Sequence, residues 1–228
     1  AGITSTERRA VGEATTRAGA RAAYVAKEPI LAAIGAEIPI NSTSGHMIVD
    51  IGGGTTEISI ISVGGAVISR SLKVAGQKFN EDIIRFIKNE DKLLIGEPTA
   101  EALKINVGSA LPTDDKLEMK VRGRDMNTGL PKEVTVRNPQ IRGALQKSLK
   151  SITDAIKSIL EESPPELVGD ILEKGIYLSG GGSLLRGFDA FVEREIQVNA
   201  KVVDDPLTCV VRGLGIIIED MDHYETIL

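Results

Sequence analysis

The chain of 228 residues is long enough for one or two domains and for a sizeable core. With 42% apolar and 26% charged residues it is not a disordered chain, and a net charge of −5 with a pI near 5.3 argues against broad nucleic-acid binding, which needs a basic face. The single Cys209 makes neither an internal disulfide nor a thiolate metal site, which reads most simply as a cytosolic protein; His46 and His223 lie far apart in sequence, which argues against a His metal site or a Ser-His-Asp triad.

In chain order, Thr4-x-x-Glu7 is a capping box that opens a helix to about residue 17, with Gly19 as its stop. Residues 22–25 are a short apolar piece that reads as a strand. Glu28-Pro29 opens a small helix over 30–36. Residues 46–51 form an apolar strand carrying Asp50. After three glycines a second strand covers 56–63, and Gly64-Gly65 turns it into a third over 66–74. Phe79, Ile83, Ile84, Phe86 and Ile87 recur at helical spacing, which predicts a helix over 78–89; another follows over 99–107. Residues 117–121 and 133–137 read as strands joined by a polar loop. Asn138-Pro139 opens a long amphipathic helix to about residue 162, Ser163-Pro164-Pro165 breaks it, and a short helix follows over 166–173. Residues 176–178 are a strand, and Gly180-Gly181-Gly182-Ser183 enters a helix to about residue 195. A strand over 201–203 and a helix starting at Pro206 complete the pattern, which is that of an α/β protein. No apolar run approaches the ~18–20 residues of a membrane-spanning helix, and the charged N-terminal segment does not read as a signal peptide.

Four segments carry candidate chemistry. In Asp50-Ile51-Gly52-Gly53-Gly54-Thr55-Thr56-Glu57 a strand ends in a carboxylate, turns through glycines and returns as a strand. Such a turn offers backbone N–H groups to phosphate oxygens, and an Asp at the strand end suits a water-bridged Mg²⁺; the bland alternative is a glycine-rich hairpin. Leu178-Ser179-Gly180-Gly181-Gly182-Ser183 leads a strand into a helix, where free N–H groups favour an anion and glycines admit a flat ring; many α/β proteins have such a turn without a ligand. Glu28 at a helix start is, by itself, a dipole-stabilising residue. In Glu97-Pro98-Thr99-Ala100-Glu101-Ala102-Leu103-Lys104, Glu101 and Lys104 read as an i,i+3 surface pair.

Taken together and in order, TERRAVGEA, EPILAAIGA, MIVDIGGGTTEISIIS, LLIGEPTAEALK, VRGRDMNTGLPKEVTV, SPPELVGDI, GIYLSGGGSLLRG and DDPLTCVVRGLG cover essentially the whole chain. This run resembles the MreB family of bacterial actin homologues. The resemblance implies an actin-like ATPase fold, in which two RNase H-like domains face each other across a nucleotide cleft. It implies ATP and Mg²⁺ as ligands, and phosphoryl transfer to water with no covalent intermediate. By the same resemblance Asp50 matches the Mg²⁺-associated aspartate, with the metal held through water. Gly52, Gly53, Gly54 and Thr55 match the second phosphate loop, and Glu28 and Thr55 the pair that orients the attacking water. Glu97, Pro98, Thr99, Ala100, Glu101 and Lys104 match the segment near ribose and adenine, and Gly180, Gly181, Gly182 and Ser183 the adenosine turn. The implied partners are further copies in paired protofilaments, the inner face of the bacterial cytoplasmic membrane, and cell-wall synthesis and shape proteins, with no nucleic acid. The implied role is maintenance of rod shape.

The first phosphate loop of that family, D-x-G-T-A-N-T, does not occur in the sequence. Pro98 replaces a usual Arg, Ala102 a common acid, and Ala75-Gly76-Gln77 a common Gly-Gly-Asp. The first domain is therefore expected to be incomplete. Residues 1–36 read as its remnant, 37–209 as the second domain with a smaller subdomain over 76–137, and 210–228 as a C-terminal helix returning to the first. The expectations that follow are weak or no ATP binding by the chain alone, and helices at 5–18 and 207–221 packing loosely or on each other. The competing reading is an actin-fold ATPase of the chaperone or sugar-kinase class.

Overall fold

The computed structural model describes residues 4–113 and 116–224; the outermost ends of the two expected first-domain pieces, 1–3 and 225–228, lie outside the described residues. Helix α1 (Ser5–Arg17) starts at the capping box, with Thr4 and Glu7 bonding reciprocally, and buries none of its side chains. Residues 22–25 form no strand, contrary to the sequence expectation. Their β-propensity meets no neighbouring sheet edge, and propensity without a ladder partner does not make a strand. Helix α2 (Glu28–Gly35) follows, with Pro29 in its first turn and every residue from Pro29 to Gly35 buried.

Strands β1 (His46–Ile51), β2 (Thr56–Ser62) and β3 (Gly65–Leu72) form an antiparallel meander. Helix α3 (Gly76–Glu90), strand β4 (Leu93–Leu94) and helix α4 (Glu97–Asn106) lead to the hairpin of β5 (Glu118–Asp125) and β6 (Pro131–Arg137). Strand β4 is too short to leave a periodic signal, and its two residues pair with the end of β5. The long helix α5 (Asn138–Glu162), helix α6 (Pro165–Lys174), strand β7 (Ile176–Ser179), helix α7 (Phe188–Ile196), strand β8 (Ala200–Val202) and helix α8 (Cys209–Glu219) complete the chain. Strand order in the five-stranded sheet is β3-β2-β1-β7-β8, with β7 parallel to both β1 and β8; β4-β5-β6 form a separate small sheet.

The period of two along β1 divides the interior. Met47, Val49 and Ile51 join a large cluster with Phe79, Ile83, Leu145, Ile152 and Phe191, drawn from α3, α5 and α7. Ile48 joins a second cluster with Leu31, Ile34 and Ile217 from α2 and α8. Helix α8 does not pack loosely, nor on α1, as the sequence suggested. It lies on α2 at backbone contact: a Cβ on Gly213 would stand 1.9 Å from the Leu31 carbonyl oxygen, and one on Gly35 1.8 Å from that of Cys209. The small residues of α2 are thus a packing face, and the Cys209 thiol donates to the Ala32 carbonyl across it.

Candidate functional site

Because β1 and β7 are parallel neighbours, their C-terminal ends coincide. Asp50 stands in register with Ser179, and each strand runs directly into its glycine triplet. Gly180 has φ +78° and lies against Ile51, where a Cβ would meet the carbonyl oxygen at 2.4 Å; a Cβ on Gly182 would meet Ile51 Cγ2 at 2.2 Å. The two turns therefore touch through backbone, and only glycine allows it. The first turn is closed by Gly52 N–H donating to Thr55 O at 3.0 Å. It is braced from outside by the start of α3, where Gly76 N–H and Gln77 N–H donate to Gly52 O and Gly53 O at 3.1 and 2.8 Å. Gly180-Ser183 does not enter an α-helix. It forms a single 3₁₀ turn over Gly181–Leu184, and α7 begins at Phe188 after the left-handed Gly187. The final helix likewise starts at Cys209 rather than Pro206, because a turn from Asp205 to Thr208, with Asp205 at φ +43°, precedes it.

Asp50 is 3% exposed, and its Oδ1 accepts from Ser179 Oγ. Burial pushes its carboxyl above the ordinary range; the Ser179 bond opposes this and Glu57, opposite it in register on β2, adds to it. No Lys or Arg pairs with Asp50 among the described residues. Glu28, at the start of α2, is pushed up by burial first and then by the charges of Asp50 and Glu57. Three carboxylates thus converge where the turns meet.

A cleft of about 580 Å³ opens from this point. One wall carries Glu28, Asp50, Gly52, Gly53 and Gly180 to Gly182. The opposite wall is α3 and α4, from which Gln77, Asn80, Glu101 and Lys104 face inward. Lys104 Nζ donates to Glu101 Oε2 at 2.7 Å and to the Gly76 carbonyl at 3.2 Å, while Asn80 Nδ2 donates to the same Glu101 oxygen at 2.7 Å. These bonds hold the Glu101 carboxyl below its ordinary range against the opposing effect of desolvation, which is the largest single influence on it. The i,i+3 pair that the spacing suggested is thus present, but its Lys104 end is largely covered and tied into the cleft wall rather than lying on the surface.

Not every expected residue lines the cleft. Gly54 and Thr55 shape its turn without lining it, and Thr55 serves through its backbone carbonyl. Ser183 is buried and donates to the Gly180 carbonyl, so it supports the glycine turn from behind. On α4 the helical rotation that points Glu101, Lys104 and Ile105 inward turns Pro98 and Thr99 to a separate groove with Met119 and Arg122. It buries Ala100 in the core and leaves Glu97 exposed. The sequence did not point to Asn80 or Arg186. Asn80 lies on the buried side of α3, where a polar residue among Phe79, Ile83 and Ile87 was the available signal. Arg186 donates from Nη1 to the carbonyls of Ile105 and Asn106, both at 3.0 Å, and so caps the end of α4 at the cleft rim. A hollow of similar size beside α1 is an open groove against a helix with no buried residue.

The cleft fits an anionic ligand with a flat or apolar end. Glycine backbone from both turns lines it, and Ile105, Leu184 and Leu185 add apolar surface. It also fits one hydrated divalent cation: a buried carboxylate with no Lys or Arg partner among the described residues suits Mg²⁺, which keeps several waters beside phosphates. Among the described residues no cluster of three or more His, Cys, Asp or Glu forms a cage for a bare metal.

The MreB/Mbl protein family model matches residues 1–226. The cell shape-determining protein Mbl of Bacillus subtilis (strain 168) is 46% identical over 220 residues, 96% of this chain and 66% of that protein. The cell shape-determining protein MreB of Escherichia coli (strain K12) is 45% identical over 223 residues, 98% of this chain and 64% of that protein. The chain thus spans 64–66% of the length of these relatives. The crystal structure of MreB5 of Spiroplasma citri bound to ADP superposes with a TM-score of 0.95 at 40% identity, covering 100% of this chain and 68% of that one. A MamK double helical filament superposes with a TM-score of 0.75 at 23% identity, covering 96% and 66%, a likeness of fold alone. The architecture is the actin-like ATPase fold.

Proposed function

The chain belongs to the MreB/Mbl family of bacterial actin-like proteins, and from that premise we propose that the whole protein binds ATP with Mg²⁺, with the cleft between the two glycine turns as the part of the site these residues supply. In this reading it hydrolyses ATP and assembles into paired protofilaments. The observation that carries the reading is the abutment of the two glycine turns around the buried Asp50. Backbone N–H groups on both turns would hold phosphate oxygens, and the absence of Cβ atoms lets the phosphates come close. Asp50 would hold a Mg²⁺ through water; the ion, when bound, offsets charge on the phosphates. Burial and the neighbouring carboxylates raise the proton affinity of Glu28, which suits it to accept a proton from water, and Thr55 on the adjoining turn would help orient that water. Glu101 and Lys104 would meet the sugar and base. The reaction is attack of water on the terminal phosphorus, with ADP as leaving group, driven by positioning and charge.

The same reading places 37–209 as the second domain with 76–137 inserted as its smaller part. Residues 1–36 and 210–228 belong to the first domain, so the α2–α8 layer is where the two domains join. Further copies, the inner face of the cytoplasmic membrane and cell-wall synthesis proteins are the proposed partners, and support of rod shape the proposed role. Among the described residues no helix is long and apolar enough to cross a membrane.

Calorimetric titration with Mg-ATP tests binding, and phosphate release tests turnover. Glu28→Gln is expected to keep binding and slow hydrolysis by about 10²–10⁴-fold, the usual contribution of a general base. Unchanged turnover removes Glu28 from the reaction. Pelleting with Mg-ATP on anionic lipid, with negative-stain imaging, is expected to show paired filaments; a protein that stays monomeric there overturns the filament reading.

A further inference from the structure

Asn80 sits on the buried side of α3 at 5% exposure, among Phe79, Ile83 and Ile87. Its orientation is settled by chemistry: a carboxylate oxygen only accepts, so the group facing Glu101 Oε2 at 2.7 Å is the amide NH₂. Its own Oδ1 is then buried, and it finds no hydrogen-bond partner among the described residues. A buried acceptor without a donor is unfavourable, and an apolar residue here would avoid it. What the amide supplies in return is one bond, to Glu101. That bond and the Lys104 bond converge on the same oxygen. The Glu101 side chain is 44% exposed, and its second oxygen, Oε1, takes neither bond. The carboxylate is therefore pinned at one oxygen by two donors, from α3 and α4, while its other oxygen takes neither bond.

We propose that Asn80 is a positioning residue of this cleft: it holds the Glu101 carboxylate so that Oε1 is aimed at a sugar hydroxyl of the bound nucleotide. The proposal rests on the nucleotide reading given above. A carboxylate held by Lys104 alone keeps its charge but turns about one contact. A second donor at a fixed angle on another helix removes that freedom before the ligand arrives, so less ordering is needed on binding. Asn80 is thus a selectivity device acting through Glu101, and it touches no ligand atom itself.

The test is titration of the whole protein and of its Asn80→Ala and Asn80→Leu variants with Mg-ATP, Mg-2′,3′-dideoxy-ATP and inorganic tripolyphosphate. Thermal melts check that each variant folds. Leu keeps this side of α3 apolar and provides a folded variant if Ala does not. Unmodified protein is expected to favour ATP over the dideoxy analogue by about 10-fold or more, as for a hydrogen bond to a charged group. Both variants are expected to lose most of that preference, with dideoxy-ATP and tripolyphosphate bound as before. A merely structural role would weaken all three ligands together, and that result overturns the proposal, as does an unchanged ATP preference. Failure of the unmodified protein to bind any of the three overturns the nucleotide reading and this inference with it, a result distinct from binding with no effect of Asn80.

Discussion

The two walls of the cleft are built on opposite principles. The strand wall is glycine backbone packed on strand β1: Gly180 and Gly182 rest on Ile51, and its ionisable groups, Asp50 and Glu28, carry like charges and are pushed up by burial. The helix wall is side chain against side chain: Lys104 and Asn80 converge on Glu101 and hold it down. A wall of unmet charge held rigidly by packing is prepared for a counter-charge from outside, as at many reactive sites. A wall of paired charge near solvent is already satisfied and contributes shape and selectivity instead. The difference teaches that the strand wall tolerates almost no substitution where Gly180 and Gly182 rest on Ile51, whereas the helix wall is adjustable.

The largest expected effect tests that intolerance. Gly180→Ala and Gly182→Ala should each destabilise the fold by about 1–3 kcal/mol through overpacking, with Gly180 losing a further ~1–2 kcal/mol for its left-handed backbone. Each kcal/mol corresponds to about 2–4 °C of melting temperature for a chain of this size, read by calorimetry. Gly53→Ala is the matched control. A Cβ there meets nothing within 4 Å, so stability should change by less than about 0.5 kcal/mol. Equal melting temperatures for all three variants would break the contrast.

Next in size is His46→Leu, at the opposite end of β1 from Asp50 and on the same side of the strand. Both ring nitrogens of His46 are buried without a hydrogen-bond partner among the described residues. Removing them should stabilise by about 1–3 kcal/mol. Burial first, and Lys174 second, push the His46 ring below its ordinary value of 6.5, with Asp170 opposing. The unfolded chain therefore takes up the proton before the folded one, and stability is lost as pH falls below 6.5. Melting curves from pH 7 to 5 should fall for the unmodified protein and be flatter for the variant.

Asp50→Asn should show the opposite sign. The folded state holds the Asp50 proton more tightly than the unfolded chain, whose ordinary value is 3.8. The stability linked to that proton is full below 3.8 and is lost as pH rises through the raised value. The Asn variant should therefore gain on the unmodified protein as pH rises from 4 upward while losing affinity for Mg-nucleotide, read by parallel melts and titrations. Smallest in stability is Lys104→Met. Its ammonium is well covered but its partner is half exposed, so about 1 kcal/mol or less is expected. The Glu101 carboxyl should move back up toward its ordinary range, which carboxylate NMR reads directly.

Much of the chemistry was legible because it is local. Asp50 and the two glycine triplets stand out by residue type and spacing, β1, α2 and α5 by period and caps, and Glu28 only through the resemblance. What failed to read did so for a non-local reason. Residues 22–25 have strand propensity but no strand to pair with. Glu101 and Lys104 resemble any surface pair until α3 supplies Asn80 and the Gly76 carbonyl. On α4, spacing alone did not say which side turns to the cleft, so Pro98 and Thr99 were grouped with residues that face the other way.

The sequence by itself determined most of the elements, because capping, alternation and glycine turns act over a few residues, and its run of segments carried the resemblance to the family and with it the residues proposed to meet phosphate and Mg²⁺. The tertiary structure alone decided which of them meet. Parallel pairing of β1 with β7 brings Asp50 beside Ser179, 129 residues apart in the chain, and joins the two turns into one wall. Packing of α3 on α4 turns an ordinary ion pair into the other. Pairing and packing depend on contacts between distant segments, and no local pattern records them.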